Sequence, residues 1–333
     1  MSDGRLCALV VRRRILIKVL YIVGGERSGS TLVDTVLGNH PDIVGVGELG
    51  QIVKLGYKEE ERCSCGKVLD NCEFFEQVKA MYFARTGDSD FDYYERLRVK
   101  YESKRAWPKL LFGLVRSSEV DDYCARTRAI LESISKVSGR PIVLDSSKKF
   151  SRLVALSFCR EIEIVPIHLV RHCCGFVYST KKSQLRTGFA NKTVVVKPKL
   201  TVVAALHWNV VNWLSLASLA FLRVFRGQRQ WLFVSYEAFC DDPEKSLMDI
   251  GSAIDLDMTS LARRAGAGET FDILHKVGGN LMKYNQTLTI RFDDAWKREL
   301  PKTTRFATWF FSWPLMFFYS RASQRDKRKF GRR

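Results

Sequence analysis

The hydrophobic pattern is clearest near the start of the chain, where a buried-strand pattern gives way to a helical one. Val19 to Val23 is an unbroken apolar run rich in β-branched residues, which is typical of a parallel strand covered on both faces. From Ser30 to Leu37 apolar residues recur at helical spacing, and Gly38-Asn39 with Pro41 beyond marks a helix end. This pattern predicts a strand, a short polar loop and a helix.

The same alternation continues along the chain. Apolar runs within 141–149, 163–170 and 231–237 predict further core strands, of which the second contains Pro166 and therefore needs an edge or bulged position. Residues 74–137 read as helices, and 206–221 reads as an apolar helix. In the first helical region, aromatic and apolar residues at helical spacing predict a helix face that packs in the core. These residues are Phe91, Tyr94, Leu97 and Tyr101.

The loop between the first strand and helix carries candidate chemistry. Gly24 and Gly29 have the spacing of a phosphate-binding loop, and the helix behind them offers free N–H groups and a positive dipole end to an anion. The Lys that a nucleotide triphosphatase has before Ser or Thr is missing, and Arg27 supplies positive charge at another place. The alternative is a tight turn that binds nothing.

The loop resembles the phosphosulfate-binding loop of sulfotransferases that use 3′-phosphoadenosine 5′-phosphosulfate (PAPS). The Arg27-Ser-Gly-Ser-Thr31 run and the later Gly47-Glu48 are most similar to the branch with bacterial and protein-tyrosine sulfotransferases. The resemblance implies an α/β fold of three layers, P-loop-like, in which helices flank a mostly parallel sheet.

Three catalytic residues follow from the resemblance. Glu48 would act as general base on the acceptor, although a helix-capping or salt-bridging role is the alternative. Lys148, at the end of an Asp145-Ser-Ser-Lys segment, would stabilise the charge that grows on the departing phosphate, with Lys149 as the alternative if the register slips by one. Arg27 would hold the phosphosulfate.

The resemblance also implies a clamp for the 3′-phosphate. Arg171 follows a strand and Ser179 lies eight residues later, which suits a charged donor and a hydroxyl on one dianion. The chain departs from the usual Arg-Asp-Pro by having His172-Cys173-Cys174. The predicted cofactor-binding residues are Gly25, Glu26, Arg27, Ser28, Gly29, Ser30, Thr31, Arg171, Ser179, Tyr236, Gly279 and Asn280.

The predicted organisation is one sulfotransferase domain over 1–302, with its phosphosulfate loop at 24–31 and a helical acceptor-side insertion at about 74–137. Residues 303–333 form an aromatic segment interrupted by Pro314 and a basic tail. That segment could rest on an anionic membrane or pack on the domain, and packing is the prediction.

Cysteine content and charge set further expectations. The chain of 333 residues has nine cysteines, an odd count that favours a reducing compartment, and we predict no signal peptide or transmembrane segment. The expected location is cytoplasmic, with peripheral membrane contact as the alternative. Cys63, Cys65 and Cys72 lack a fourth ligand at a suitable spacing, so no metal is predicted.

Of the net charge of +18, +6 lies in 321–333 and +4 in 1–18, which leaves +8 for the rest. This favours an anionic ligand and does not imply a nucleic-acid groove. The function expected from the resemblance is metal-independent, in-line sulfuryl transfer from PAPS to a hydroxyl or amine. The acceptor class stays open among carbohydrate, lipid, small molecule and peptide tyrosine. The alternatives are a P-loop-type kinase acting on a small molecule and a non-catalytic, membrane-associated nucleotide binder.

Overall fold

The computed structural model describes residues 16–115, 118–181, 184–186, 188–190, 194–228 and 230–330. The strands are β1 (Ile17–Gly24), β2 (Ile43–Gly45), β3 (Ile142–Lys148), β4 (Ile162–Val170), β5 (Gln184–Arg186), β6 (Val194–Val196), β7 (Leu232–Ser235), β8 (Thr270–Asp272) and β9 (Thr287–Thr289). The helices are α1 (Ser30–Leu37), α2 (Glu73–Thr86), α3 (Asp92–Glu102), α4 (Ala106–Leu111), α5 (Ser118–Ser138), α6 (Phe150–Leu156), α7 (Cys173–Lys181), α8 (Thr201–Phe225), α9 (Tyr236–Asp241), α10 (Pro243–Ile254), α11 (Thr259–Gly266), α12 (Trp296–Glu299) and α13 (Lys302–Phe330).

A five-stranded sheet in the order β2-β3-β1-β4-β7 forms the centre, and all of its pairings are parallel. Successive residues of β1 enter two different cores, because side chains alternate across a strand. Val19, Tyr21 and Val23 pack with α5, α6 and α8, whereas Leu20 and Ile22 pack with α1, α10 and α11. The predicted three-layer α/β fold with a mostly parallel sheet is confirmed.

Pro166 lies inside this sheet without breaking it. β7 pairs with β4 only from Ile167 onward, so at Pro166 the strand has a hydrogen-bonded neighbour, β1, on one side only. Local edge character of this kind is what a proline in a strand requires.

The helical region predicted for about 74–137 corresponds to α2 through α5. Its aromatic stripe is buried in the core shared with the sheet, as predicted for a core face; its members are Phe91, Tyr94, Leu97 and Tyr101. Cys124 of α5 is joined by a disulfide to Cys159, which follows α6. This disulfide departs from the expectation of a reducing compartment that the odd cysteine count favoured.

Two long helices, α8 and α13, pack against each other and against α7. One face of α13 is buried through Thr308, Ser312, Leu315 and Tyr319, and the helix continues through Pro314. Its other face exposes aromatic side chains, namely Phe306, Trp309, Phe310, Phe311, Trp313, Phe317 and Phe318.

By length and composition alone, α8 could also cross a membrane, a property that it shares with core helices of soluble proteins. Trp208, Asn212 and Ser218 of this helix are buried inside the protein.

Candidate active site

The glycines of the first loop are fixed by their neighbours. Gly24 has φ +150°, and a Cβ there would lie 2.3 Å from the carbonyl oxygen of Leu169. Gly29 has φ +91°, and its Cβ would lie 2.3 Å from the ring of Tyr236. The loop therefore packs directly on β4 and on the start of α9, and it delivers the N-terminus of α1 to the carboxyl edge of the sheet.

Arg27 occupies the middle of this loop in the left-handed region, with φ +65°. Its Nε donates to the Ser179 hydroxyl oxygen at 2.8 Å, across 152 residues of sequence. Left-handed backbone at a non-glycine residue is uncommon and often marks a functional position. The structure thus brings the predicted phosphosulfate Arg and the predicted 3′-phosphate Ser into direct contact.

Arg171 follows β4 and is buried beside the same loop. Its Nη2 donates to an Asp293 carboxylate oxygen at 2.9 Å, and its guanidinium carbon lies 4.7 Å from the centre of the Tyr236 ring. Trp208 donates its indole N–H to the Arg171 carbonyl at 2.9 Å, which fixes the backbone of this residue. Asp293 is half-exposed and was missed by the sequence reasoning, because no motif marked it.

Glu48 and Lys148 form an ion pair, with 2.5 Å between Oε1 and Nζ. Lys148 also donates to the Ser146 carbonyl at 3.1 Å and has φ +66°, which turns its side chain back toward Glu48 at the end of β3. The backbone N–H of Glu48 donates to the carbonyl of Val277 at 2.8 Å. Glu48 and Lys148, two of the three predicted catalytic residues, therefore meet inside one cavity.

Lys149 lies at the start of α6 and lines the same cavity. Its side chain is half-buried, and burial lowers the pKa of its ammonium below the usual value. Lys149 is therefore a cavity residue as well, which keeps it as the alternative to Lys148. The backbone register nevertheless points Lys148, rather than Lys149, at Glu48.

Asp145 resembles the metal-holding Asp of phosphate-loop ATPases, but its carboxylate is otherwise engaged. It is fully buried, accepts from Arg152 Nε at 2.9 Å, and accepts from both the backbone N–H and the hydroxyl of Ser147. Because Arg152 also pairs with the buried Glu102, the carboxylate of Asp145 belongs to the core. An Asp145 carboxylate held in this way is not free to bind magnesium, so it gives no support to the P-loop-type kinase alternative.

The glycine loop from the C-terminal region closes the site, and it lies against both catalytic and binding residues. A Cβ at Gly278 would lie 2.8 Å from the Cβ of Glu48, and one at Gly279 would lie 3.3 Å from the Thr31 hydroxyl oxygen. The backbone N–H of Asn280 donates to the same hydroxyl at 3.3 Å. Gly279 and Asn280, which the resemblance assigns to cofactor binding, thus lie beside the phosphosulfate loop.

Glu26 turns toward α8. It pairs with His207 at 3.2 Å and with Lys199 at 2.6 Å. A hydrogen bond from His207, supported by Lys199, lowers the pKa of Glu26 to about 2. Neither partner was marked by any sequence motif.

These groups surround a single cavity of about 900 Å³. All of the predicted site residues line this cavity except Gly25 and Ser28, two residues of the loop that are buried. Lining residues that sequence reasoning missed include Glu102, Lys104, His207, Arg291 and Asp293. Burial raises the pKa of the lining residue Tyr236 to about 12. The cavity thus combines a helix N-terminus and several cations with one carboxylate–ammonium pair.

Comparison with protein-family models and with curated proteins finds no match. Among solved structures, the chain is similar to a sulfotransferase domain of the olefin synthase from Synechococcus PCC 7002 (TM-score 0.46, 18% identity, 92% of this chain and 96% of that one). It is also similar to a sulfotransferase domain from the curacin biosynthetic pathway (TM-score 0.46, 16% identity, 90% and 98%). A third is a sulfotransferase from Mycobacterium tuberculosis H37Rv (TM-score 0.40, 16% identity, 81% and 74%).

All three are sulfotransferases. Sulfotransferase is also the class of enzyme that the motifs of this chain resemble. At these TM-scores and identities the likeness carries no argument about the reaction, which has to rest on the cavity itself.

Proposed function

We propose that this protein transfers a sulfuryl group from PAPS to an acceptor hydroxyl or amine. The observation that carries the proposal is the meeting of two sets of groups in one cavity. One set, Arg27, Ser179 and Arg171, suits phosphate groups, and the other is the Glu48–Lys148 pair.

The hydrogen-bond donors of the first set fit an anion that carries a phosphate group at each of two ends. Arg27 and Arg171 offer planar guanidinium groups that match phosphate oxygens, and the Ser179 hydroxyl stands beside them. The N-terminus of α1 adds its dipole on the side of the loop. In this proposal an incoming phosphate competes with Asp293 for Arg171.

The proposed reaction breaks the bond between sulfur and the bridging phosphate oxygen and forms a bond between sulfur and the acceptor. Glu48 takes the acceptor proton, and Lys148 stabilises the negative charge that grows on the leaving phosphate. The products are the sulfated acceptor and 3′,5′-phosphoadenosine. The ion pair of Glu48 with Lys148 opens as each residue turns to its own partner.

The selectivity of the protein between two nucleotides tests whether PAPS is the sulfuryl donor. A bond from a charged group is worth about 1.5–3 kcal/mol, so 3′,5′-phosphoadenosine should bind at least about tenfold more tightly than 5′-AMP in titration calorimetry. Arg171→Gln should remove that preference while 5′-AMP affinity stays nearly constant. Equal affinity of the parent protein for the two nucleotides would contradict PAPS as donor.

We also propose a membrane partner for the exposed aromatic face of α13, defined by Phe306, Trp309, Phe310, Trp313 and Phe317. All five side chains are at least half-exposed, and contiguous exposed aromatic groups of this kind often mark an interaction surface. The exposed cations of Lys302 and Arg321 flank it, and the basic tail follows in the sequence. Aromatic groups beside cations suit an anionic lipid surface.

Vesicle sedimentation tests this contact. The protein should pellet with vesicles containing phosphatidylserine and much less with neutral phosphatidylcholine vesicles. Trp309→Ser with Phe310→Ser should release it, whereas Phe112→Ser, at an exposed aromatic residue directly after α4, should not. Failure to pellet with either vesicle, or self-association through this face instead, would overturn the proposal. A cytoplasmic location is proposed with it. Six described cysteines are free thiols, and the Cys124–Cys159 disulfide is the observation that stands against this location.

A further inference from the structure

Four metal-binding side chains meet outside the cavity, on the loops that support it. We propose that Cys63, Cys65, Cys72 and His275 together bind one zinc ion as a closed structural site. The sequence prediction of no metal rested on the missing fourth ligand. The fold supplies that ligand from 203 residues beyond Cys72.

The ligand atoms already have the spacing of a coordination shell. The Nδ1 atom of His275 lies 3.5 Å from the sulfur of Cys63 and 3.2 Å from that of Cys72. All four ligand atoms, including the sulfur of Cys65, lie within 4.8 Å of one another. A tetrahedron with ordinary zinc bond lengths places sulfur and nitrogen about 3.6 Å apart, and two sulfurs about 3.8 Å apart. Small side-chain movements therefore complete the site.

Neighbouring groups hold the ligands in place. The ring of Phe74 stacks on His275 at 5.2 Å and 10°, which fixes the plane of the imidazole. The hydroxyl of Ser64 donates to the Leu274 carbonyl at 2.5 Å and accepts from the Lys276 backbone N–H at 2.9 Å. The two loops that carry the ligands are thus already joined on both sides of His275.

The thiolate is the form of cysteine that binds zinc. On binding, the three thiols release their protons and the imidazole coordinates as a neutral ligand through Nδ1.

The protein fills all four positions, so the site is structural rather than catalytic. It links the 61–72 segment to the 274–280 segment. The second of these contacts Glu48 through Val277 and Gly278, and Thr31 through Asn280. Zinc would therefore act on the cavity only by positioning this loop.

Metal content is the first test. The full chain, purified without chelator from zinc-supplemented culture, should contain one zinc per chain by elemental analysis. Cys65→Ser changes the exposed ligand and should lose most of that zinc while it stays folded by circular dichroism. Cys240→Ser, a half-buried thiol outside the cluster, should keep the full amount. Equal zinc in Cys65→Ser and the parent would overturn the site.

Cobalt gives a second test that does not depend on any variant. Titration of the reduced protein with Co²⁺ should produce thiolate-to-cobalt charge transfer and the visible bands of a tetrahedral site. Added zinc should displace the cobalt with an affinity on the order of nanomolar or tighter. A reduced chain without these bands, or one that shows a disulfide between Cys63 and Cys72 after purification under argon, would refute the proposal.

The effect on nucleotide binding rests on the proposed function and is measured separately. Zinc removal should lower the affinity for 3′,5′-phosphoadenosine several-fold, and zinc addition should restore it. If the zinc site is present and the chain binds no such nucleotide, the proposed function fails and the metal site stands.

Discussion

Glu48 and Lys148 touch across the carboxyl edge of the sheet, with 2.5 Å between carboxylate oxygen and ammonium nitrogen. They are 100 residues apart in sequence, and the fold joins them because β2 and β3 are neighbours whose ends lead into both residues. The left-handed backbone of Lys148 aims its side chain at Glu48. In the proposed reaction one member of this pair takes a proton and the other stabilises a leaving group.

Glu48→Gln should separate binding from chemistry. The amide cannot accept the acceptor proton, so turnover should fall by about 10²–10⁴-fold while 3′,5′-phosphoadenosine affinity changes little. Glu48→Asp keeps a carboxylate and should retain more activity than the amide variant. Steady-state kinetics and calorimetry on both variants decide the matter, and turnover of Glu48→Gln within a few-fold of the parent would make Glu48 a structural residue.

Lys148→Ala should cost roughly 2.7–4 kcal/mol of transition-state stabilisation, the scale of a lost charge-stabilising donor. Lys149→Ala is the matched control. Lys149 lines the cavity but is not hydrogen-bonded to Glu48, so we expect its loss to cost less than about tenfold in kcat/KM. Reversed effects would shift the leaving-group role to Lys149. Unchanged kinetics in both variants would exclude this segment from the site.

Much of the site could be predicted because the resemblance to sulfotransferases marked Arg27, Glu48, Lys148 and Arg171. The fold explains why these residues converge, since parallel strands deliver their carboxyl ends to one edge of the sheet. The sequence pattern could not show that Asp145 forms a buried ion pair with Arg152, because nothing in the sequence marks Arg152 as a buried residue.

Contacts between distant loops could not be predicted from the sequence, for a different reason. His275 meets the cysteines more than 200 residues away in sequence. Asp293 pairs with Arg171 in the same way, across 122 residues. Local periodicity and spacing report on neighbours along the chain, and these pairings depend on how the last loops fold back over the sheet.

Gly29 and Gly25, both in the first loop, make a matched pair for substitution. Gly29→Ala puts a Cβ 2.3 Å from the Tyr236 ring at φ +91°, whereas a Cβ at Gly25 meets only a Phe176 ring carbon at 3.8 Å. Backbone strain of this kind costs about 1–3 kcal/mol. Gly29→Ala should therefore lower both the melting temperature and the nucleotide affinity, and Gly25→Ala should change each much less. Equal behaviour of the two variants in calorimetry would show that the loop does not pack as described.

His168 should make the fold acid-sensitive. Burial lowers its pKa from 6.5 to about 4, so between these values the unfolded chain binds a proton that the native protein does not. Stability therefore rises with pH through this window, and this group alone should remove about 2 kcal/mol between pH 7 and pH 5. Urea unfolding at both pH values measures the loss. His168→Asn should show a smaller difference, and an undiminished one would assign the acid sensitivity to other groups.

The central claim is sulfuryl transfer, and the most direct measurement supplies PAPS labelled with radioactive sulfur to the protein in cell extract. The account predicts a labelled product that forms with the parent protein and forms about 10²–10³-fold more slowly with Lys148→Ala. The product should not appear from labelled inorganic sulfate in extract depleted of nucleotides. Tight binding of 3′,5′-phosphoadenosine without a labelled product from carbohydrate, lipid, peptide or small-molecule fractions would contradict the account and leave a nucleotide-binding protein in its place.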